Sequence, residues 1–90
     1  MTIPQDGRPR LANGCRWGKA NGEQRAVLFP EGAIMVQGTG REILERCDGQ
    51  RTFAQIVDEL NALYSADSRQ IKQEAGKFLE QLRQKRIIDF

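Results

Sequence analysis

Between Cys15 and Val36 the apolar residues come in three short runs, and from Thr39 onward they recur every three or four positions, so the pattern predicts strands first and helices afterwards. Cys15-Arg16-Trp17-Gly18 is short enough for an edge strand. Asn21-Gly22 precedes the second run, Ala26-Val27-Leu28-Phe29, and an Asn-Gly pair between such runs supplies the positive φ angles of a tight hairpin turn. Phe29-Pro30-Glu31-Gly32 places Pro second and Gly fourth, as a type I turn prefers, before a third strand over Ala33–Val36. These strand runs are nearly continuously apolar, which predicts a sheet with helices on one face and a second face that is not simply solvated.

Gly38 ends the third strand, and Thr39 is positioned to cap a helix that runs to Cys47 with Ile43, Leu44 and Cys47 on its apolar side. Asp48-Gly49 stops it. Thr52 opens a second helix with Gln55 three residues on, the capping-box spacing, and Phe53, Ile56, Val57, Leu60, Leu63 and Tyr64 form one stripe. Asp67 or Ser68 caps a third helix reaching about Arg86, with Ile71, Ala75, Phe78, Leu79 and Leu82 on one face. Ile87-Ile88-Asp89-Phe90 reads as an apolar tail packed on the body. Residues 1–13 hold Pro4, Gly7, Pro9 and Asn13 among scattered charges without a period, which predicts a mobile arm. The expected fold is α+β and winged-helix-like: a three-stranded antiparallel sheet followed by three helices, in one domain over residues 14–90 with a flexible arm over 1–13.

Composition narrows the chemistry. With no histidine there is no Ser-His-Asp triad, no Cys-His pair and no Cys₂His₂ zinc site. Cys15 and Cys47 are too far apart for a CxxC motif and too few for a metal cage, so both are expected to be small, partly buried hydrophobes in a reducing compartment. No catalytic residue, metal site or cofactor is nominated. No apolar run approaches the roughly 18 residues of a membrane span, and Met1–Arg10 shows no signal-peptide pattern. A cytoplasmic protein without membrane contact is therefore expected.

The net charge of +2 does not by itself imply nucleic acid. A winged-helix DNA-binding protein is nevertheless one reading. The second helix would expose Gln55, Asp58, Glu59 and Asn61 and has no Lys or Arg between Thr52 and Tyr64, so DNA binding rests on the helix over 68–86. That helix sets Arg69, Lys72, Lys77, Arg83, Lys85 and Arg86 against Glu74 and Glu80. The other reading makes the sheet the working surface. An open strand edge accepts an extended peptide as a further strand, and Ala33–Gln37 suits this because it has no Pro and leads straight into a helix. Such an edge also allows a homodimer, through the strand or the arm.

Three stretches carry a family resemblance: Ala26-Val27-Leu28-Phe29-Pro30-Glu31-Gly32, Arg41-Glu42-Ile43-Leu44-Glu45-Arg46-Cys47-Asp48-Gly49, and Thr52-Phe53-Ala54-Gln55-Ile56-Val57-Asp58-Glu59-Leu60. Together they resemble the pyrroloquinoline quinone (PQQ) biosynthesis protein D family, PqqD, which reads V-L-L-[YF]-P-E-G, then I-L-x-x-C-D-G, then T-x-x-x-I-V-x-x-L. Where that family has L-N-x-[ST]-A, this chain has Val36-Gln37-Gly38-Thr39-Gly40, and Gly40 in a helix's first turn costs up to about 1 kcal/mol relative to Ala. The resemblance implies a RiPP recognition element, a peptide chaperone that binds the precursor peptide PqqA and presents it to the radical S-adenosylmethionine enzyme PqqE. In related recognition elements the leader peptide adds beside the third strand, in a groove closed by the third helix. Carried onto this chain, that implies Ala33, Ile34, Met35, Val36 and Gln37 on the strand and Ile71, Ala75, Phe78, Leu79 and Leu82 on the helix, some of which must serve the core.

Overall fold

The computed structural model describes residues 3–65 and 67–90. In chain order the elements are β1 (Arg10–Leu11), β2 (Arg16–Asn21), β3 (Gln24–Phe29), β4 (Gly32–Val36), α1 (Gly38–Glu45), α2 (Phe53–Tyr64), α3 (Ser68–Gln84) and β5 (Ile88–Asp89). β2, β3 and β4 form an antiparallel sheet in that order, and β1 pairs antiparallel with β5 in a separate two-stranded ladder. The expected three-stranded sheet followed by three helices is what forms. The small β1–β5 ladder is an addition that two-residue strands leave invisible to periodicity.

Both hairpins of the sheet close over two residues. Asn21 pairs with Gln24, so Gly22 and Glu23 make the first loop, and only Gly22 takes a positive φ (64°). The Asn of the expected Asn-Gly turn thus belongs to the strand, and Gly22 alone supplies the left-handed conformation, the sign pattern of a type II′ turn. Phe29 pairs with Gly32 around Pro30-Glu31, in the turn expected from Pro at its second position.

The helix ends follow from their side chains. Thr52 Oγ1 accepts from the Gln55 N–H at 3.2 Å while the Thr52 N–H donates to Gln55 Oε1 at 2.8 Å, completing the capping box. Asp67 Oδ1 accepts from the Arg69 N–H at 2.9 Å and so caps α3. α1 differs from expectation: it starts at Gly38, its N-cap Gln37 makes no side-chain cap, and Thr39 lies inside the first turn. Gly38 at φ 56° turns the chain out of β4, a conformation costly for any residue with a Cβ.

α3 ends two residues before Arg86, in a Schellman motif. The Ile87 N–H bonds the Leu82 carbonyl at 2.9 Å, the Arg86 N–H bonds the Arg83 carbonyl at 2.9 Å, and Arg86 is left-handed at φ 62°. This turn returns Ile87 and Ile88 to the core, where both are fully buried.

The core gathers Val27 and Val36 from the sheet, Ile43, Leu44 and Cys47 from α1 and its end, Phe53, Ile56, Val57 and Leu60 from α2, and Ala75, Leu79 and Leu82 from α3. The buried stripe expected for α2 stops at Leu60: Leu63 and Tyr64 in the last turn are 52% and 42% exposed. The mobile arm expected over 1–13 is corrected from Ile3 onward; Met1 and Thr2 lie outside the described residues. Ile3 and Pro9 are buried, and the Gly7 and Gln5 carbonyls accept the Phe53 and Ala54 N–H groups at 2.8 and 3.1 Å. Those two donors at the start of α2 have no partner within their helix, so the segment is held by the need to satisfy them.

The Asp48-Gly49 pair is structural. Asp48 Oδ1 accepts from the N–H groups of Gln50 (2.9 Å) and Arg51 (3.0 Å), and the Gly49 N–H bonds the Pro9 carbonyl. Hydrogen bonds from the Arg51 and Gln50 N–H groups hold the Asp48 carboxyl below its ordinary value of 3.8. A depressed carboxylate contributes stability above its unfolded pKa that is lost as pH falls through the folded one. Asp48→Asn is therefore expected to flatten the acid limb of stability below about pH 4, read from urea unfolding across pH. Arg86→Gly is expected to raise stability by about 1 kcal/mol by relieving the left-handed conformation, seen as a higher urea midpoint at unchanged slope.

Candidate functional site

β4 is an edge strand with β3 on one side only. Its register sets Gly32 against Phe29, Ala33 against Leu28, Ile34 against Val27, Met35 against Ala26 and Val36 against Arg25. A two-residue turn closes on the hydrogen-bonded pair Phe29–Gly32, and bonding alternates from there, so Gly32, Ile34 and Val36 direct their backbone groups to β3. Ala33 and Met35 direct theirs, an N–H and a C=O each, away from the sheet. The same alternation sends the Ala33 and Met35 side chains to the exposed outer face, while Ile34 is half-buried and Val36 is in the core.

The outer face is mixed where it is bare: Arg16 and Gln24 are exposed there together with Ala33 and Met35. Met35 is half exposed, and Ala26 lies opposite it. A Cβ on Gly18 would sit 3.1 Å from the Ala26 Cβ and 3.3 Å from the Leu28 Cγ, so Gly18 lets β2 pass close over these side chains.

α1 holds the sheet in place. Arg41 donates to the Gly22 and Glu23 carbonyls at 3.2 and 3.1 Å, reaching from the helix to the tip of the first hairpin. It also pairs with Glu45 at 3.4 Å, which pairs in turn with Arg25 of β3 at 2.8 Å, and the Arg25 guanidinium stacks 4.2 Å from the Trp17 ring centroid. A second chain of ion pairs, Glu42–Arg46–Glu59–Arg51–Asp48, ties α1 and the following loop to α2. The β4 edge is thus set on a braced base. Nothing in periodicity marked Arg41 as a link to the sheet, because the main-chain oxygens it reaches there lie nearly twenty residues away.

On α3 the expected residues divide. Ala75, Leu79 and Leu82 are fully committed to the core, so the structure removes them as surface contacts. Ile71 and Phe78 are half-buried and packed at the margin of that core. Phe78 abuts Gly40 in the first turn of α1, four residues past the end of β4. Ala33, Ile34, Met35 and Gln37 along the edge, with Ile71 and Phe78 on the helix, are what the fold leaves available.

The basic residues of α3 point elsewhere. Arg69, Lys72 and Lys77 line an open cavity of about 930 Å³ beside Ile3 and Phe53. At about 100° per residue they lie across the helix from Ile71 and Phe78. Arg83 is held by Glu80 at 2.9 Å.

Both cysteines are free thiols. Burial, with Asp48 nearby, pushes the Cys47 thiol up to about 12, and its Sγ donates to the Ile43 carbonyl at 3.2 Å. Cys15 is also free and is raised by burial and Glu31. Among the described residues no three His, Cys, Asp or Glu side chains gather in a way that would hold a metal ion, and no helix is long and apolar enough to cross a membrane.

The three-stranded sheet, backed by three helices, leaves an outer strand paired on one side only at β2 and at β4, and such an edge can take an extended peptide as an added strand. The fold is shared with a solution structure from Methylobacterium extorquens, a PqqD truncation described as a stand-alone RiPP recognition element. It is 27% identical, with a TM-score of 0.80 over 98% of this chain and 95% of that one. TbiB1, solved in complex with the TbiA(beta) leader peptide, has the same fold at 18% identity, with a TM-score of 0.80 over 89% and 94% of the two chains. The family model of coenzyme PQQ synthesis protein D matches residues 24–88. A protein of Xanthomonas axonopodis pv. citri named PqqA binding protein is 33% identical over 96% of this chain and 95% of its own. One of the same name from Methylococcus capsulatus is 41% identical over 57% and 54%. This chain belongs to the PqqD family.

Arg41→Ala is expected to cost about 1 kcal/mol, the scale of a charged hydrogen bond discounted for partial exposure. Amide exchange at Gly22 and Glu23 should rise more than at Leu60 or Leu79, measured by hydrogen–deuterium exchange.

Proposed function

We propose that this chain is a non-catalytic peptide chaperone of PQQ biosynthesis, which binds the precursor peptide PqqA along β4 and presents it to the radical S-adenosylmethionine enzyme PqqE in the cytoplasm. The observation that carries this reading is the edge of β4, where Ala33 and Met35 turn their backbone donors and acceptors away from the sheet on a strand that, among the described residues, pairs with β3 alone. Relatives named for binding PqqA support the choice of peptide, and family membership supports the pathway. The groove lies between that edge and the α3 side that carries Ile71 and Phe78.

Binding alone is a sufficient mechanism. A modifying enzyme needs a flexible substrate held at its site, and micromolar capture, about −8 kcal/mol, raises the peptide's local concentration without further chemistry. Main-chain bonds to Ala33 and Met35 fix the direction and register of the added strand, and Ile34, Ile71 and Phe78 supply apolar contact. Two copies pairing through β4 would occupy the same groups, so self-association competes with peptide.

Titrating the isotope-labelled domain with PqqA should move the amide resonances of Ala33, Met35 and Gln37 together with those around Ile71 and Phe78. Duplex DNA should leave them in place. Response to DNA alone, centred on Arg69, Lys72 and Lys77, would replace the peptide reading with a winged-helix DNA-binding one. Met35→Pro removes one outward N–H at a position where an edge strand tolerates proline, and should weaken PqqA by about tenfold in a folded variant. PqqE should modify PqqA faster with the wild-type domain than with Met35→Pro.

A further inference from the structure

Glycine is a poor residue for a helix, and Gly40 sits in the first turn of α1 with neither a positive φ nor an open space around it. Phe78 accounts for it. A Cβ on residue 40 would lie 3.3 Å from Cζ of Phe78 and 3.8 and 3.9 Å from its two Cε atoms, so the ring points tip-first into the notch that the missing side chain leaves. Contact at 3.3 Å is closer than a methyl group allows without displacement of the ring. Gly40 stands four residues beyond Val36, so this seat is at the α1 end of the β4 edge. Phe78 is half-buried on the α3 side that also carries Ile71.

We propose that Gly40 and Phe78 together form the end wall of the peptide groove and determine which side chain is accepted beside Val36. This rests on the reading that β4 takes up a peptide. With its tip sunk at Gly40, the ring presents an apolar surface with no hydrogen-bonding group, which selects an apolar side chain of limited bulk and rejects an indole. A side chain at residue 40 would push the ring outward and narrow the groove at that end.

The test replaces each residue of PqqA in turn by Trp and measures affinity for the wild-type domain and for Phe78→Ala, with Phe78→Leu as the milder variant if the first melts early. At a single peptide position, Trp should cost the wild type about tenfold or more, the scale of overpacking a filled site, and cost the Phe78 variant about threefold or less. Gly40→Ala should weaken the parent peptide by about fivefold, and Gly40→Ala with Phe78→Leu should recover most of that loss. If the parent peptide moves the Ala33 and Met35 amides but no position separates wild type from the Phe78 variants, the wall is wrong and the groove stands. If the parent peptide leaves those amides unmoved, the groove itself is wrong and the wall falls with it.

Discussion

A chain of ninety residues has little interior, and this one completes its core by recruiting both of its ends. Ile3 and Pro9 from one terminus and Ile87 and Ile88 from the other are buried, and the β1–β5 ladder joins the two. The β1–β5 ladder does more than bury area. The residues before β1 satisfy the first N–H groups of α2, and the chain just after β1 bonds the Ile87 carbonyl through Ala12. Loss of either terminus would therefore open α2 and α3 together, which follows from the high surface-to-volume ratio of a small domain.

Around that closed core the sheet is held from the side. Arg41 fastens the tip of the first hairpin to α1, and Glu45 draws Arg25 and thereby Trp17 into the same cluster. These are partly exposed ion pairs of modest individual worth. Their role is geometric: they fix the angle at which β3 presents β4, so the bare edge lies on a rigid strand rather than on a loop.

Much of this was legible in the chain. The capping box at Thr52 and Gln55, the Pro30 turn and the stripes of α2 and α3 are local signals, and local signals survive into the fold. What escaped was non-local. Residues 3–13 look aperiodic because their task is to supply carbonyls to α2 and two strand residues to β5, and neither leaves a hydrophobic period. Leu63 and Tyr64 continue a helical stripe in sequence yet stay exposed at the end of α2. Among the site residues implied by the resemblance, Ala75, Leu79 and Leu82 could be separated from Ile71 and Phe78 only once the rotation of α3 over the core was known. Gly40 looked like a weakness of α1, and its reason lies thirty-eight residues away in a ring that no spacing rule connects to it.

The brevity of β4 has a consequence for which chains it will keep. Only Ala33 and Met35 turn backbone groups outward, and each such bond contributes on the order of 1 kcal/mol net. Association costs about 4–15 kcal/mol in lost freedom, so an arbitrary extended segment that docks here gains less than it loses and departs. A long bare strand would hold such strangers and seed aggregates; this one is too short to do so. Retention must come from side chains that fit beside it, which turns a hazardous surface into one that discriminates.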